Sequence, residues 1–269
     1  MAEEGKKKKA AHFVLVHGAC HGAWCWFKLK RLLESAGHRV TAVDLAASGI
    51  DGEAIHRVPT FRHYTQPLLD ALETAAGGDD DERVVLVGHS SGGLGCALAM
   101  ETFPGKIAVA VFLSAFMPDT LHSPSFVLDQ YCARATPRAW LDTEFAPASS
   151  SQPDFLTMLF GPEFLCSRLY QLCSKEDLEL AKAMVRPSSL YLHDLSKTEK
   201  FTEEGYGSVR RVFVICNEDR AIKEEYQRWM IENYVVERVM EIKESDHMAM
   251  LCEPRKLFDC LSEIAHNYS

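Results

Sequence analysis

Two kinds of apolar pattern alternate along the chain. Six segments are short runs dominated by Val, Ile, Leu and Phe: His12–Val16, Arg39–Asp44, Arg83–Val87, Ala108–Ser114, Arg211–Cys216 and Val235–Ile242. Runs of this length with little polar interruption predict strands covered on both faces. Between them, Trp24–Ala36, Phe61–Ala75, Gly92–Phe103, Glu224–Tyr234 and Arg255–Tyr268 repeat apolar residues at helical spacing. Strand alternating with helix predicts an α/β fold: a mostly parallel sheet of about six strands with helices on both faces.

One stretch breaks the alternation. From Pro118 to Tyr206 no strand is predicted, Pro, Ser and Phe are frequent, and only Pro162–Leu172 and Lys175–Val185 read as helical. A long insertion directly after the fourth strand predicts a cap over the carboxyl ends of the strands. The expected organisation is a disordered tail over residues 1–11, a core over 12–117 and 207–269, and a cap over 118–206.

Composition narrows the function classes. With 269 residues, 47% hydrophobic and 25% charged, the chain can bury a core without disulfide or metal staples. A net charge of −9 argues against a nucleic-acid partner. The basic run Lys6–Lys9 reads as a solvated tail, and Gly77–Glu82 as a second low-complexity piece. No apolar stretch approaches the roughly 20 residues of a membrane span, and no signal peptide is evident, so a cytoplasmic setting is expected. The nine cysteines are odd in number and form no C-x-x-C pair, which predicts reduced thiols and no metal site. No phosphate-cradling loop is present either, so no cofactor is expected. The oligomeric state is open, a homodimer included.

The chemistry is carried by Gly88-His89-Ser90-Ser91-Gly92, which follows the run Val84–Val87 and precedes the small-residue helix start Gly92–Ala97. Strand, tight turn and helix in that order predict an elbow that projects Ser90 as a nucleophile, with small residues where strand and helix backbones approach each other. Ser91 is adjacent but off the centre of the frame. The first strand ends in His17-Gly18-Ala19-Cys20-His21-Gly22, a turn placed to supply a second oxyanion donor. The backbone amides of Ala19 and Ser91 are therefore the predicted oxyanion hole. A serine hydroxyl needs a base, and the base an orienting acid. Cys216-Asn217-Glu218-Asp219 follows the fifth strand and Ser245-Asp246-His247-Met248 the sixth. Asp219 is the predicted acid and His247 the base. Glu218 and Asp246 compete for the acid role, but Asp246 adjoins His247, and consecutive side chains on extended chain diverge.

These stretches, together with HFVLVHGACHGAW, Gly37-His38-Arg39-Val40, VTAVDLAASG, AVFLSAFMPD, EDLELAK, YGSV and DHMAMLCEP, resemble the plant α/β-hydrolase family of hormone methylesterases and hydroxynitrile lyases, from His12 to Tyr268. Within it the chain is most similar to methyl salicylate esterases that bind salicylic acid. The resemblance implies an α/β-hydrolase fold and a cofactor-free serine esterase. Its partner would be a small methyl ester of salicylate, jasmonate or indole-acetate, together with the acid product. Lyases of this family carry Thr, Glu and Lys where this chain has Gly18, His89 and Met248, so all three positions imply the esterase. A salicylate receptor with little turnover is a further implication of the family. By resemblance the substrate would meet Ala19, Phe116, Trp140, Leu190 and Met248, with His21 nearby. Relatives carry a larger apolar residue where this chain has Ser91.

Overall fold

The computed structural model describes residues 10–75 and 83–269. The Lys6–Lys9 run and the Gly77–Glu82 piece lie outside the described residues. Strands β1 (His12–Val16), β2 (Arg39–Val43), β3 (Val84–His89) and β4 (Ile107–Leu113) precede the insertion, and β5 (Glu144–Ser149) and β6 (Gln152–Leu159) lie within it. Strands β7 (Arg211–Cys216) and β8 (Arg238–Ile242) follow it. Six of them form one sheet in the order β2-β1-β3-β4-β7-β8, every neighbouring pair parallel.

The four inner strands β1, β3, β4 and β7 are buried along their whole length, and their successive side chains serve opposite cores, while the outer strands β2 and β8 keep polar and exposed positions. Val14 and Val16 of β1 face one cluster with Leu86, Phe112, Phe213 and Ile215. Phe13 and Leu15 face the other with Val85, Val111, Val212 and Val214. Helices α1 (Phe27–Ser35), α2 (Phe61–Ala75) and α3 (Gly92–Thr102) belong to the core, and α4 (Phe126–Arg134), α5 (Pro162–Phe164), α6 (Lys175–Met184) and α7 (Leu192–Lys197) to the insertion. The chain closes with α8 (Glu224–Asn233), α9 (Ala249–Cys252) and α10 (Pro254–Tyr268). Helices α2 and α3 pack on the first face, and α1 and α10 on the second, where Leu29, Leu33, Leu257 and Leu261 are wholly buried.

Several boundaries differ from expectation. The insertion holds an antiparallel pair, β5–β6, where the sequence pattern predicts no strand. Pro147 and Pro153 sit inside these strands and most of their residues are exposed or half-buried, so neither a continuous nor an alternating apolar pattern marks them. Pro162–Leu172 is a short α-turn followed by a wider turn over Leu165–Leu169, not one regular helix. The last strand starts at Arg238, leaving Val235 exposed in the approach to it. Ala11, expected in the tail, is buried, and its amide donates to His38 Nδ1 at 3.1 Å, so ordered chain reaches back past that boundary. All nine cysteines are free thiols. Among the described residues no helix is long and apolar enough to cross a membrane.

Candidate active site

Each predicted catalytic residue follows the carboxyl end of a different strand. Ala19 follows β1, Ser90 follows β3, Asp219 follows β7 and His247 follows β8. The parallel sheet therefore delivers them to one edge.

Ser90 sits between β3 and α3 with φ +56°, a left-handed backbone that a residue with a Cβ adopts at a cost on the order of 1 kcal/mol. The turn is held by its carbonyl, which accepts from Gly93 N–H at 3.1 Å and Phe116 N–H at 3.0 Å. The flanking glycines are there for space. A Cβ on Gly88 would lie 2.6 Å from Cys96 Sγ, and one on Gly92 2.5 Å from the His17 carbonyl oxygen. Strand and helix thus close on the elbow as the G-x-S-x-G spacing requires.

His247 and Asp219 form a buried pair, with His247 Nδ1 2.6 Å from Asp219 Oδ2. The same oxygen accepts from Ser114 Oγ at 2.5 Å, and Oδ1 accepts from the amides of Ala221 at 2.7 Å and Ile222 at 2.9 Å. The carboxylate is thereby fully hydrogen-bonded, and its acceptance from Nδ1–H leaves Nε2 of His247 free to act as base. Glu218 is exposed. Asp246 faces elsewhere: it accepts from Leu172 N–H of the insertion at 2.8 Å and from Met248 N–H at 2.9 Å. Ser114 is a member of the site that no motif marks, although it stands at the carboxyl end of β4, where the same positional rule points to it.

Ser90 and His247 line one small cavity of about 30 Å³ with Ala19, Ser91, Phe116, Trp140 and Leu190. Among the described residues, the Ser90 hydroxyl makes no hydrogen bond, and the amides of Ala19 and Ser91 donate to no protein acceptor. Catalytic hydrogen bonds commonly tighten only around the reacting group. Tyr131, Met158, Phe160 and Phe164 complete an apolar wall that the sequence does not single out. Their signal is weak, because insertion aromatics serve packing as readily as binding.

Two residues expected at the substrate are elsewhere. Met248 is wholly buried in the second core cluster and does not line the cavity. His21 is buried, with Nδ1 2.9 Å from the Ala19 carbonyl oxygen and Nε2 2.7 Å from the Tyr170 hydroxyl, stacked between Trp24 and Tyr170. Both ring nitrogens are engaged, and burial pushes its pKa down to about 3, so the ring is neutral. It braces the turn that presents Ala19. His17 is likewise neutral through burial, accepting from Leu45 N–H at Nε2 and donating from Nδ1 to the Gly18 carbonyl. His89 lies beneath the base, its Nε2 2.8 Å from the His247 carbonyl oxygen and the ring centroids 4.5 Å apart. Burial first, and His247 second, hold its pKa well below the ordinary value.

Residues 13–259 match the alpha/beta hydrolase family. The chain is 56% identical to Salicylic acid-binding protein 2 of Nicotiana tabacum, covering 97% of this chain and 100% of that protein. It is 53% identical to Alpha-hydroxynitrile lyase of Arabidopsis thaliana, covering 96% of this chain and 98% of that one. The crystal structure of polyneuridine aldehyde esterase superposes with a TM-score of 0.92 at 48% identity, over 96% of this chain and 100% of that chain. By sequence and by fold, the chain belongs to the plant methylesterase and hydroxynitrile lyase family of α/β-hydrolases.

Proposed function

We propose that the chain is a serine carboxylesterase that hydrolyses the methyl ester of a small plant-hormone acid. Methyl salicylate is the leading substrate, and methyl jasmonate and methyl indole-acetate are further candidates. The observation that carries this reading is the buried Asp219–His247 pair opening onto the cavity that holds Ser90. Ser90 Oγ attacks the ester carbonyl while His247 Nε2 takes its proton. The Ala19 and Ser91 amides hold the tetrahedral oxyanion. His247 then protonates departing methanol, and water, activated by the same histidine, releases the acid from Ser90. The apolar wall of Phe116, Trp140 and Leu190 suits a flat acid, with residues 118–206 acting as a cap that supplies most of it. Met248 and His21 support the site from behind rather than touching substrate.

Overall identity separates esterase from lyase poorly, since Methylesterase 1 of Arabidopsis thaliana is 56% identical to this chain and the lyase 53%. The cavity separates them better. Cyanide leaves as an anion and needs a neighbouring cation, yet among the described residues the lining holds neither lysine nor arginine. A Cβ at Gly18 would lie 2.7 Å from Ser90 Cβ, so a threonine there would reshape the nucleophile's surroundings. A receptor role, holding the acid with little turnover, draws support from the name of the tobacco relative.

The test is a panel of methyl salicylate, methyl jasmonate, methyl indole-acetate and mandelonitrile against wild type and Ser90→Ala. Hydrolysis of at least one ester, abolished in the variant, is expected. Benzaldehyde release from mandelonitrile would favour the lyase, and salicylate binding without any hydrolysis the receptor. Hydrolysis surviving in Ser90→Ala would remove Ser90 from the mechanism.

A further inference from the structure

Outside the catalytic cavity lies a larger one of about 630 Å³. Tyr131, Phe164 and Ala221 line both, so they form the wall between them. The outer cavity carries four cations, Arg134, Arg168, Arg220 and Lys223, against two carboxylates, Glu225 and Glu232. In a chain of net charge −9 this local excess of positive charge runs against the whole. Among the described residues none of the four cations makes an ion pair or donates a side-chain hydrogen bond to protein. Arg168 Nε is buried without a partner. Arg134 stacks its guanidinium over Trp229 at 4.3 Å and Tyr226 at 5.1 Å, which fixes the plane and leaves its N–H edges available.

The neighbouring carboxylates are accounted for. Glu224 is held by Asn217 and Arg228, and Asp219 by its own four donors. Glu218 and Glu225 border a shallower hollow beside Arg168, Arg220 and Lys223 without reaching ion-pair distance.

We infer that this vestibule is a second binding site, for an organic monocarboxylate with a flat apolar body, the chemical class of the acid that the proposed esterase releases. The ligand's ring lies along the aromatic lining of the outer cavity, and its carboxylate meets the unpaired guanidinium and ammonium groups. Two opposing glutamates leave a modest excess of charge that suits a singly charged ligand better than a polyanion. A neutral methyl ester has no anion to offer these groups. The site therefore distinguishes product from substrate at the boundary of the catalytic cavity.

This inference takes its ligand class from the proposed function, but its test reads binding and needs no turnover. Failure to hydrolyse any ester would remove the proposed function and leave this measurement intact. Ser90→Ala protein is titrated calorimetrically with sodium salicylate and with neutral salicylamide, and its crystals are soaked with 5-iodosalicylate. The expected result is iodine density in the outer cavity beside the four cations, and salicylate binding that weakens with added salt. Replacing Arg168, Arg220 or Lys223 singly by Gln should weaken vestibule binding, by about tenfold where the replaced cation holds the carboxylate directly, and Glu225→Gln should tighten it. These opposed single substitutions keep the test valid should any one variant fail to fold. Salicylamide binding that the same cation substitutions weaken, iodine confined to the Ser90 cavity, or salicylate affinity unmoved by either kind of substitution would each overturn the inference.

Discussion

Four hydrogen bonds converge on the Asp219 carboxylate, and only one of them comes from His247, the proposed base. The Ala221 and Ile222 amides fix the position of the carboxylate, and Ser114 holds the oxygen that meets His247. Asp219→Asn keeps the volume but offers an N–H where His247 needs an acceptor, which favours the wrong tautomer. The expected outcome is a fall in kcat of roughly a thousandfold or more with the fold intact, checked by steady-state kinetics beside circular dichroism. At this scale the groups of the proposed mechanism are marked in the sequence by motif and position, and the residues packed around them less so. Asp219 can be preferred to Asp246 because neighbouring side chains diverge, and Asp246 indeed turns toward Leu172. The positions of His21 and Met248 are not legible from family likeness. Both stand within a residue or two of a reacting group in sequence, and side-chain direction takes them into the packing behind it.

At the scale of elements, the four inner strands can be read because burial on both faces leaves each a nearly unbroken apolar run, whereas the outer strands β2 and β8 show shorter apolar stretches broken by polar residues. The β5–β6 ribbon cannot, because its residues are largely exposed and its prolines read as breakers. Helix α6 shows how the insertion is fastened to the core. Its N-cap Ser174 accepts from Asp177 N–H at 3.1 Å and donates to Asp177 Oδ2 at 2.7 Å, while Lys28 of α1 reaches the same carboxylate oxygen at 2.6 Å. Ser174→Ala removes the cap and one tether of that carboxylate. A loss of about 1 kcal/mol in unfolding free energy is expected, read from the urea midpoint.

For the molecule as a whole, the buried histidines set an acid limit. His17, His21 and His89 are neutral when folded, chiefly through desolvation, and His21 titrates only at about 3. Unfolded, each takes up a proton near pH 6.5. Below that pH the unfolded state binds more protons, so stability falls as the pH drops from about 6.5 toward the depressed folded values. Each group adds a slope on the order of 1 kcal/mol per pH unit in that window. Urea midpoints measured from pH 7.5 to pH 4.5 should decline steeply below about 6.5, and the decline should be shallower in His21→Gln. A flat profile would mean that these rings are accessible to solvent protons in the native state.

The Asp246 carboxylate grips Leu172 of the insertion with one oxygen and Met248, the neighbour of the base, with the other. Displacement of the chain near residue 172 is therefore transmitted to the loop that carries the imidazole. Variation in substrate range has free play along the β5–β6 ribbon and the aromatic wall, but not at this clasp. A transplanted lid from another member would have to bring its own amide to the same place, or the proton acceptor would lose its alignment.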